Sequence, residues 1–127
     1  MSASVFDASA ILAVAFAEPG SDAAMARLPD AVMSSVNFSE AAAKLSDKGM
    51  AVDEALAWLE GFGIEVAPFG RVEAVSAARL RATTRHRNVS FADRACLSLA
   101  LARGLPAVTT DKAWSGLGLA CEIVQLR

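Results

Sequence analysis

Residues 90–111, SFADRACLSLALARGLPAVTTD, hold a helical run and a short apolar run between two aspartates, Asp93 and Asp111. Ser90 and Asp93 make an S-x-x-D capping box, Gly104 closes the helix, and PAVTT follows as a strand. Each acid has a local explanation, because carboxylates in a first turn satisfy free N–H groups and the helix dipole. Whether capping is their whole role depends on the rest of the chain.

The same alternation runs upstream. SVFDASA predicts a short strand ending at Asp7, followed by a helix through ILAVAFA and a second helix opened by Pro19. AVMSSVNFSEAAAKLSDKG predicts a strand over residues 31–33, capping serines Ser34 and Ser35, a helix with Glu40 in its early turns, and Gly49 at its end. In VDEALAWLEGFG, Val52, Ala55, Leu56, Leu59 and Phe62 form one helical stripe, widened by Trp58. IEVAPF reads as a third strand, RVEAVSAARLRATT as a helix carrying arginines, and CEIVQL as a fifth strand after PAVTT. Strands alternating with helices give an α/β fold: a mostly parallel sheet of about five strands with helices on both faces. Residues 1–127 form a single domain, with no internal repeat, low-complexity tract or linker.

Composition narrows the class. A chain of 127 residues buries about two thirds of the surface exposed by its unfolded form. With 54% apolar residues and mean hydropathy +0.40, it carries more core-forming side chains than an average soluble domain, and the surplus points to an interface. Cys96 and Cys121 have neither metal-ligand nor disulfide-framework spacing, so a reduced, cytoplasmic setting is expected. AILAVAFAE resembles a secretory apolar region, but no Lys or Arg precedes Arg27 and Asp7 interrupts the approach. No apolar stretch is long enough for a membrane span.

In parallel sheets ligands bind beyond the carboxyl ends of the strands, and this order of elements aims Asp7, Glu40, Asp93 and Asp111 at that edge. Caps can equally be Ser, Thr or Asn, yet all four are acids. Two carboxylates about 4 Å apart repel by roughly 4 kcal/mol at an effective dielectric of 20, so four together call for a cation. One histidine and two distant cysteines cannot build a zinc cage, whereas carboxylates with Ser and Thr hydroxyls suit Mg²⁺ or Mn²⁺. Such an ion suits phosphodiester chemistry.

Net charge is −2, which excludes a globally basic nucleic-acid binder. Five of the nine arginines nevertheless lie between residues 79 and 94, where Asp93 is the only acid. Arg85, Arg87 and Arg94 are candidate RNA contacts beside the acids, with a solvated helix face as the competing explanation.

The segments VFDASAILAVAFAEPG, SSVNFSEAAAKL, SFADRACLSLALARG and PAVTTD resemble the successive motifs of PIN-domain ribonucleases, most of all the VapC toxins of bacterial toxin-antitoxin pairs. The resemblance runs from Val5 to about Leu119, with motifs in family order and spacing. It implies a three-layer fold, with Asp7, Glu40, Asp93 and Asp111 as metal-binding catalytic acids. Thr109 would be the small hydroxyl beside the last acid, and Ser9 a second supporting hydroxyl. The implied activity is RNA endonuclease cleavage by a water activated on Mg²⁺ or Mn²⁺. The implied partners are an RNA substrate, a homodimeric second copy and a cognate antitoxin, for which ILAVAFAEPG and the Trp58 helix are the candidate groove. Some family members carry a further acid shortly after the last aspartate, where this chain has Ala113, Trp114 and Ser115.

Other classes remain open at this level. A haloacid-dehalogenase-like phosphatase would need Asp-x-Asp after the first strand, and this chain has Asp7, Ala8, Ser9. A receiver domain would need an aspartate after the third strand, and a dinucleotide fold its G-x-G-x-x-G. A non-catalytic binding module with structural acids is compatible with every residue named.

Overall fold

The structure, a computed structural model, describes residues 2–127. Asp7 follows β1 (Ser4–Phe6) and accepts the Ala10 N–H at 2.9 Å, which caps α1 (Ala8–Ala15). The helix therefore begins at Ala8 rather than Ile11, because the cap lies immediately after the strand. α2 (Ser21–Arg27) begins beyond Pro19, after Gly20 at φ 95°. A Cβ at Gly20 would stand 2.8 Å from the Leu126 carbonyl oxygen, so glycine is required both by conformation and by space.

Ser34 ends β2 (Ala31–Ser34) and caps α3 (Ser35–Asp47) by accepting the Val36 N–H at 3.1 Å. α4 (Val52–Glu60), β3 (Glu65–Ala67) and α5 (Arg71–Thr84) follow. α6 (Phe91–Arg103) ends at Gly104, whose φ of 63° turns the chain into β4 (Ala107–Thr109). A 3-10 turn at Lys112–Trp114 leads on to β5 (Ile123–Gln125).

The five strands pair in the order β3-β2-β1-β4-β5, and all four pairings are parallel. From β1 the chain extends the sheet one way through β2 and β3, then returns to place β4 and β5 on the other side. The order thus reverses between β1 and β4, and the crevice beyond their carboxyl ends is where such sheets bind ligands. Val5 faces Ala107 and Phe6 faces Val108, so the next residues, Asp7 and Thr109, leave the sheet side by side.

Alternation along the strands fills two cores. Phe6, Met33 and Val108 point into one with Ile11, Leu45 and Leu59; Val5, Val32 and Ala107 point into the other with Cys96, Leu97 and Trp114. Helices therefore cover both sheet faces, α1 to α4 on one and α5 with α6 on the other. Trp58 is half-buried against the first core, edge-on to Phe62 at 4.7 Å. Exposed apolar surface lies elsewhere, at Met25, Val52, Val72 and Phe91 among others. Among the described residues, no helix is long and apolar enough to cross a membrane.

Trp114 is fully buried and anchors the turn that begins at Asp111. Trp114→Ala is expected to lower unfolding stability by about 3–5 kcal/mol in denaturant titration, the usual cost of emptying a large aromatic site.

Candidate active site

Asp7 is 4% exposed, at the reversal of strand order. Three groups donate to its carboxylate: Thr109 Oγ1 at 2.5 Å, Ser9 Oγ at 2.7 Å and the Ala10 N–H at 2.9 Å. Thr109 Oγ1 also accepts the Asp111 N–H at 3.0 Å, and Ser9 Oγ accepts the Thr110 N–H at 3.0 Å. Two hydroxyls thus join the ends of β1 and β4 into one polar network. Asp111 in turn caps its own 3-10 turn by accepting the Ala113 N–H at 2.9 Å.

Burial pushes the Asp7 carboxyl up from 3.8 to about 6. The hydrogen bonds from Thr109, Ser9 and Ala10 pull it down, and the charge of Asp93 adds to the rise. Desolvation outweighs the donors because, among the described residues, no Lys or Arg forms an ion pair with Asp7, Asp93 or Asp111. Asp93 is held at the start of α6 by its capping box: its carboxylate accepts the Ser90 N–H at 3.0 Å while Ser90 Oγ accepts the Asp93 N–H at 3.1 Å.

Glu40 sits in the second turn of α3 and forms an ion pair with Lys44 at 3.6 Å. Its charge reaches the start of α6 nonetheless. The buried Cys96 thiol is pushed well above its ordinary range, first by burial and then by Asp7, Asp93, Cys121 and Glu40. Asp7, Asp93 and Glu40 thus all act on the Cys96 thiol, but among the described residues no three Asp, Glu, His or Cys side chains stand close enough to share one ion. The donors available are carboxylate and hydroxyl oxygens, the set a hard cation accepts while keeping waters of its own.

The three candidate arginines separate. Arg94 donates to the Ala77 carbonyl at 2.9 Å, which ties α6 to α5, and its Nε is buried. Arg85 and Arg87 are exposed in the segment before α6, with Arg87 within 3.5 Å of the Gly116 carbonyl. Asn37, unnoticed in the sequence, is buried on α3 and donates Nδ2 to the Ala92 carbonyl at 2.9 Å, which fixes the start of α6 next to Asp93. Its only signal is an amide inside an apolar helical stretch, SVNFSEAAAKL.

A parallel α/β sheet with a buried carboxylate at its strand-order reversal defines a class of ligand-binding folds. More narrowly, a model of the PIN domain matches residues 4–118, and the chain belongs to the PIN-domain family. Similar solved structures include a DNA-bound VapBC from Salmonella typhimurium, at TM-score 0.75 and 20% identity over 100% of both chains. A toxin-antitoxin complex from Klebsiella pneumoniae matches at TM-score 0.75 and 14% identity over 98% of each chain. VapBC-5 from Mycobacterium tuberculosis matches at TM-score 0.64 and 25% identity, over 97% of this chain and 98% of that one. No curated protein matches in sequence. The resemblance to VapC-type toxins in the motifs thus extends to the whole fold, and such PIN domains are nucleases in general.

The Asp7 carboxyl binds its proton more tightly folded than unfolded, so the fold is favoured at low pH and loses that contribution as pH rises from about 4 to about 6. In EDTA, Asp7→Asn should remove this loss, on the order of 3 kcal/mol, and exceed the parent in stability at pH 8. Parallel denaturant titrations at pH 4 and pH 8 check both points.

Proposed function

We propose that this chain is the ribonuclease toxin of a toxin-antitoxin pair, cleaving RNA phosphodiesters with the help of Mg²⁺ or Mn²⁺. The observation that carries the reading is Asp7: a buried carboxylate at the reversal of strand order that lies under the charge of Asp93 and, among the described residues, forms no ion pair with Lys or Arg. A divalent ion held there would supply polarisation of the scissile phosphate and a water of lowered pKa. Asp7 and Asp93 are the residues that would hold it, with Asp111 and Glu40 extending the acidic surface around them. Thr109 and Ser9 keep the Asp7 oxygens oriented, and the Thr109 hydroxyl ties Asp111 to the same frame. Arg85 and Arg87 would hold flanking phosphates against the repulsion of the acids.

The antitoxin surface follows from the same edge. A cavity of about 280 Å³ has an apolar and hydroxyl side, Leu12 and Phe16 with Ser9 and Thr110, and a charged side of Glu18, Asp47, Lys44, Lys48 and Arg127. A partner segment seated there would lie against the Asp7 network, and a basic side chain on it could reach the acids and block them. Exposed Met25 on α2 and Val52 on α4, on the same side of the sheet, leave apolar surface for a second copy of the chain.

One observation favours a non-catalytic module instead. Asp7, Asp93 and Asp111 all cap helical turns, and among the described residues no three acids share one ion position. Purified chain incubated with total RNA and Mn²⁺, beside Asp93→Asn, separates the two: discrete fragments from the parent alone support the nuclease, and intact RNA in both sinks it for the free chain. Millimolar Mg²⁺ or Mn²⁺ should also raise the melting temperature of the parent, since a ligand at 100 times its dissociation constant adds about 2.7 kcal/mol. Asp93→Asn should show a smaller rise. Replacing Arg85 and Arg87 by Ala should weaken RNA binding and flatten its dependence on salt, measured by fluorescence anisotropy across a salt series.

A further inference from the structure

Of the four candidate acids, Glu40 alone has an ion pair with a Lys or Arg among the described residues, 3.6 Å from Lys44 Nζ. The two lie one turn apart on α3 with the glutamate on the N-terminal side, the favourable order for such a pair. The pair does not hold the fold together. It joins two positions of one helix, which buried Ala41, Ala42 and Leu45 already anchor, and its side chains are 54% and 33% exposed. An exposed pair of this kind is cheap to break.

The Lys44 ammonium also has a second place to go. Lys44 lines the cavity of about 280 Å³ together with Ser9 and Thr110, whose hydroxyl and N–H belong to the Asp7 network, and with Asp47. Asp47 follows Lys44 by three residues on α3, so Lys44 has a carboxylate within helical reach on either side, Glu40 behind and Asp47 ahead. Of the two carboxylates on the cavity wall, Glu18 is paired with Arg127 at 3.3 Å, whereas Asp47 has no ion pair among the described residues. Asp47 is also the last residue of α3, where the helix dipole disfavours a negative charge and a nearby cation relieves it. A flexible lysine stem can pass between the two with the backbone unmoved. Glu40 left behind is a free charge, and that charge acts on the same Cys96 thiol as those of Asp7 and Asp93.

Resting on the ribonuclease reading above, we infer that Lys44 is a displaceable counter-ion of Glu40: it neutralises that carboxylate until a divalent cation takes its place, and its ammonium then moves to Asp47 at the cavity wall. A divalent ion outcompetes an ammonium at a carboxylate because it carries twice the charge. Lys44 is therefore a positioning residue, acting through Glu40, and it sets how readily the acids take up the cation.

The test uses the full chain and its variants Lys44→Met, Lys44→Arg, Lys48→Met and Asp47→Asn, with Lys44→Met repeated in a Glu40→Gln background and Asp47→Asn repeated in a Lys44→Met background. Each is checked by circular dichroism and by melting in EDTA. The probe is Mn²⁺ alone at low salt, where surface charges are least screened, and binding is read from the loss of the free-ion signal in electron paramagnetic resonance. Lys44→Met should bind Mn²⁺ about two- to fivefold more tightly than the parent. Lys44→Arg, which keeps the charge, should match the parent, and so should Lys48→Met, which removes a charge from the same cavity two turns away from Glu40. In the Glu40→Gln background Lys44→Met should change nothing. Asp47→Asn should weaken Mn²⁺ binding when Lys44 is present and not when it is replaced. Equal Mn²⁺ affinity in Lys44→Met and the parent overturns the inference and leaves the nuclease reading standing, as does a change confined to melting in EDTA, which assigns the pair to the helix alone. Equal tightening by Lys48→Met, tightening that persists in Glu40→Gln, or an Asp47→Asn effect that persists in Lys44→Met also overturns it, since the charges would then act only through the general field. Lys44-dependent Mn²⁺ binding without cleavage of RNA keeps the counter-ion and sinks the nuclease reading. Absence of Mn²⁺ binding by the parent overturns both.

Discussion

The hydrogen bond from Thr109 to Asp7 joins the carboxyl ends of two strands that are distant in sequence. It exists because β1 and β4 pair in parallel with Phe6 opposite Val108, which brings the next two residues together beyond the sheet. The Asp7 carboxylate is thereby buried, oriented by two hydroxyls and a backbone N–H, and brought under the charge of Asp93. A buried carboxylate costs folding energy unless something positive is nearby, and the charge of Asp93 adds to that cost. Cores on both sheet faces, with Phe6 and Val108 in one and Val5 and Ala107 in the other, hold the arrangement in place against that cost.

The start of α6 is the second half of the device. Asn37 on α3 grips the Ala92 carbonyl, and Arg94 grips Ala77 on α5, so the first turn of the helix is held from both sides. That turn carries the exposed Phe91, the capping carboxylate of Asp93 and Arg94, whose Nε is buried. Asp93 is thereby held by its capping box to the Ser90 N–H, and its charge still acts on Asp7.

Much of this was legible in the residues. The element order, the parallel α/β class and the capping roles of Asp7, Ser34, Asp93 and Gly104 follow from local chemistry, which needs no distant partner. Boundaries shifted where a cap and a strand end coincided, as at Asp7 and Ser34, or where Gly20 had to pass close to Leu126. Arg94 illustrates the limit. Its charge and its place beside Asp93 mark it as a substrate contact, but only the position of α5 shows that its guanidinium is committed to a carbonyl. Trp114 illustrates the same limit from the apolar side, since a tryptophan after an acid can be surface or core until β5 and α6 are placed around it.

By itself, then, the sequence determined which turns are capped by acids, which stretches alternate into a parallel sheet, and that the acidic segments follow strands. Those are properties of neighbours along the chain, set by hydrogen bonding within a turn and by the period of apolar residues. The tertiary structure alone decided which strands are adjacent, and with that which acids meet. Asp7 reaches Thr109 and Asp111 through strand pairing, and Asp93 through the packing of α6, while Glu40 keeps Lys44 as its ion-pair partner. The reason is that charge and burial at a site are sums over residues brought together from the whole chain, and strand order and helix packing choose the members of that sum.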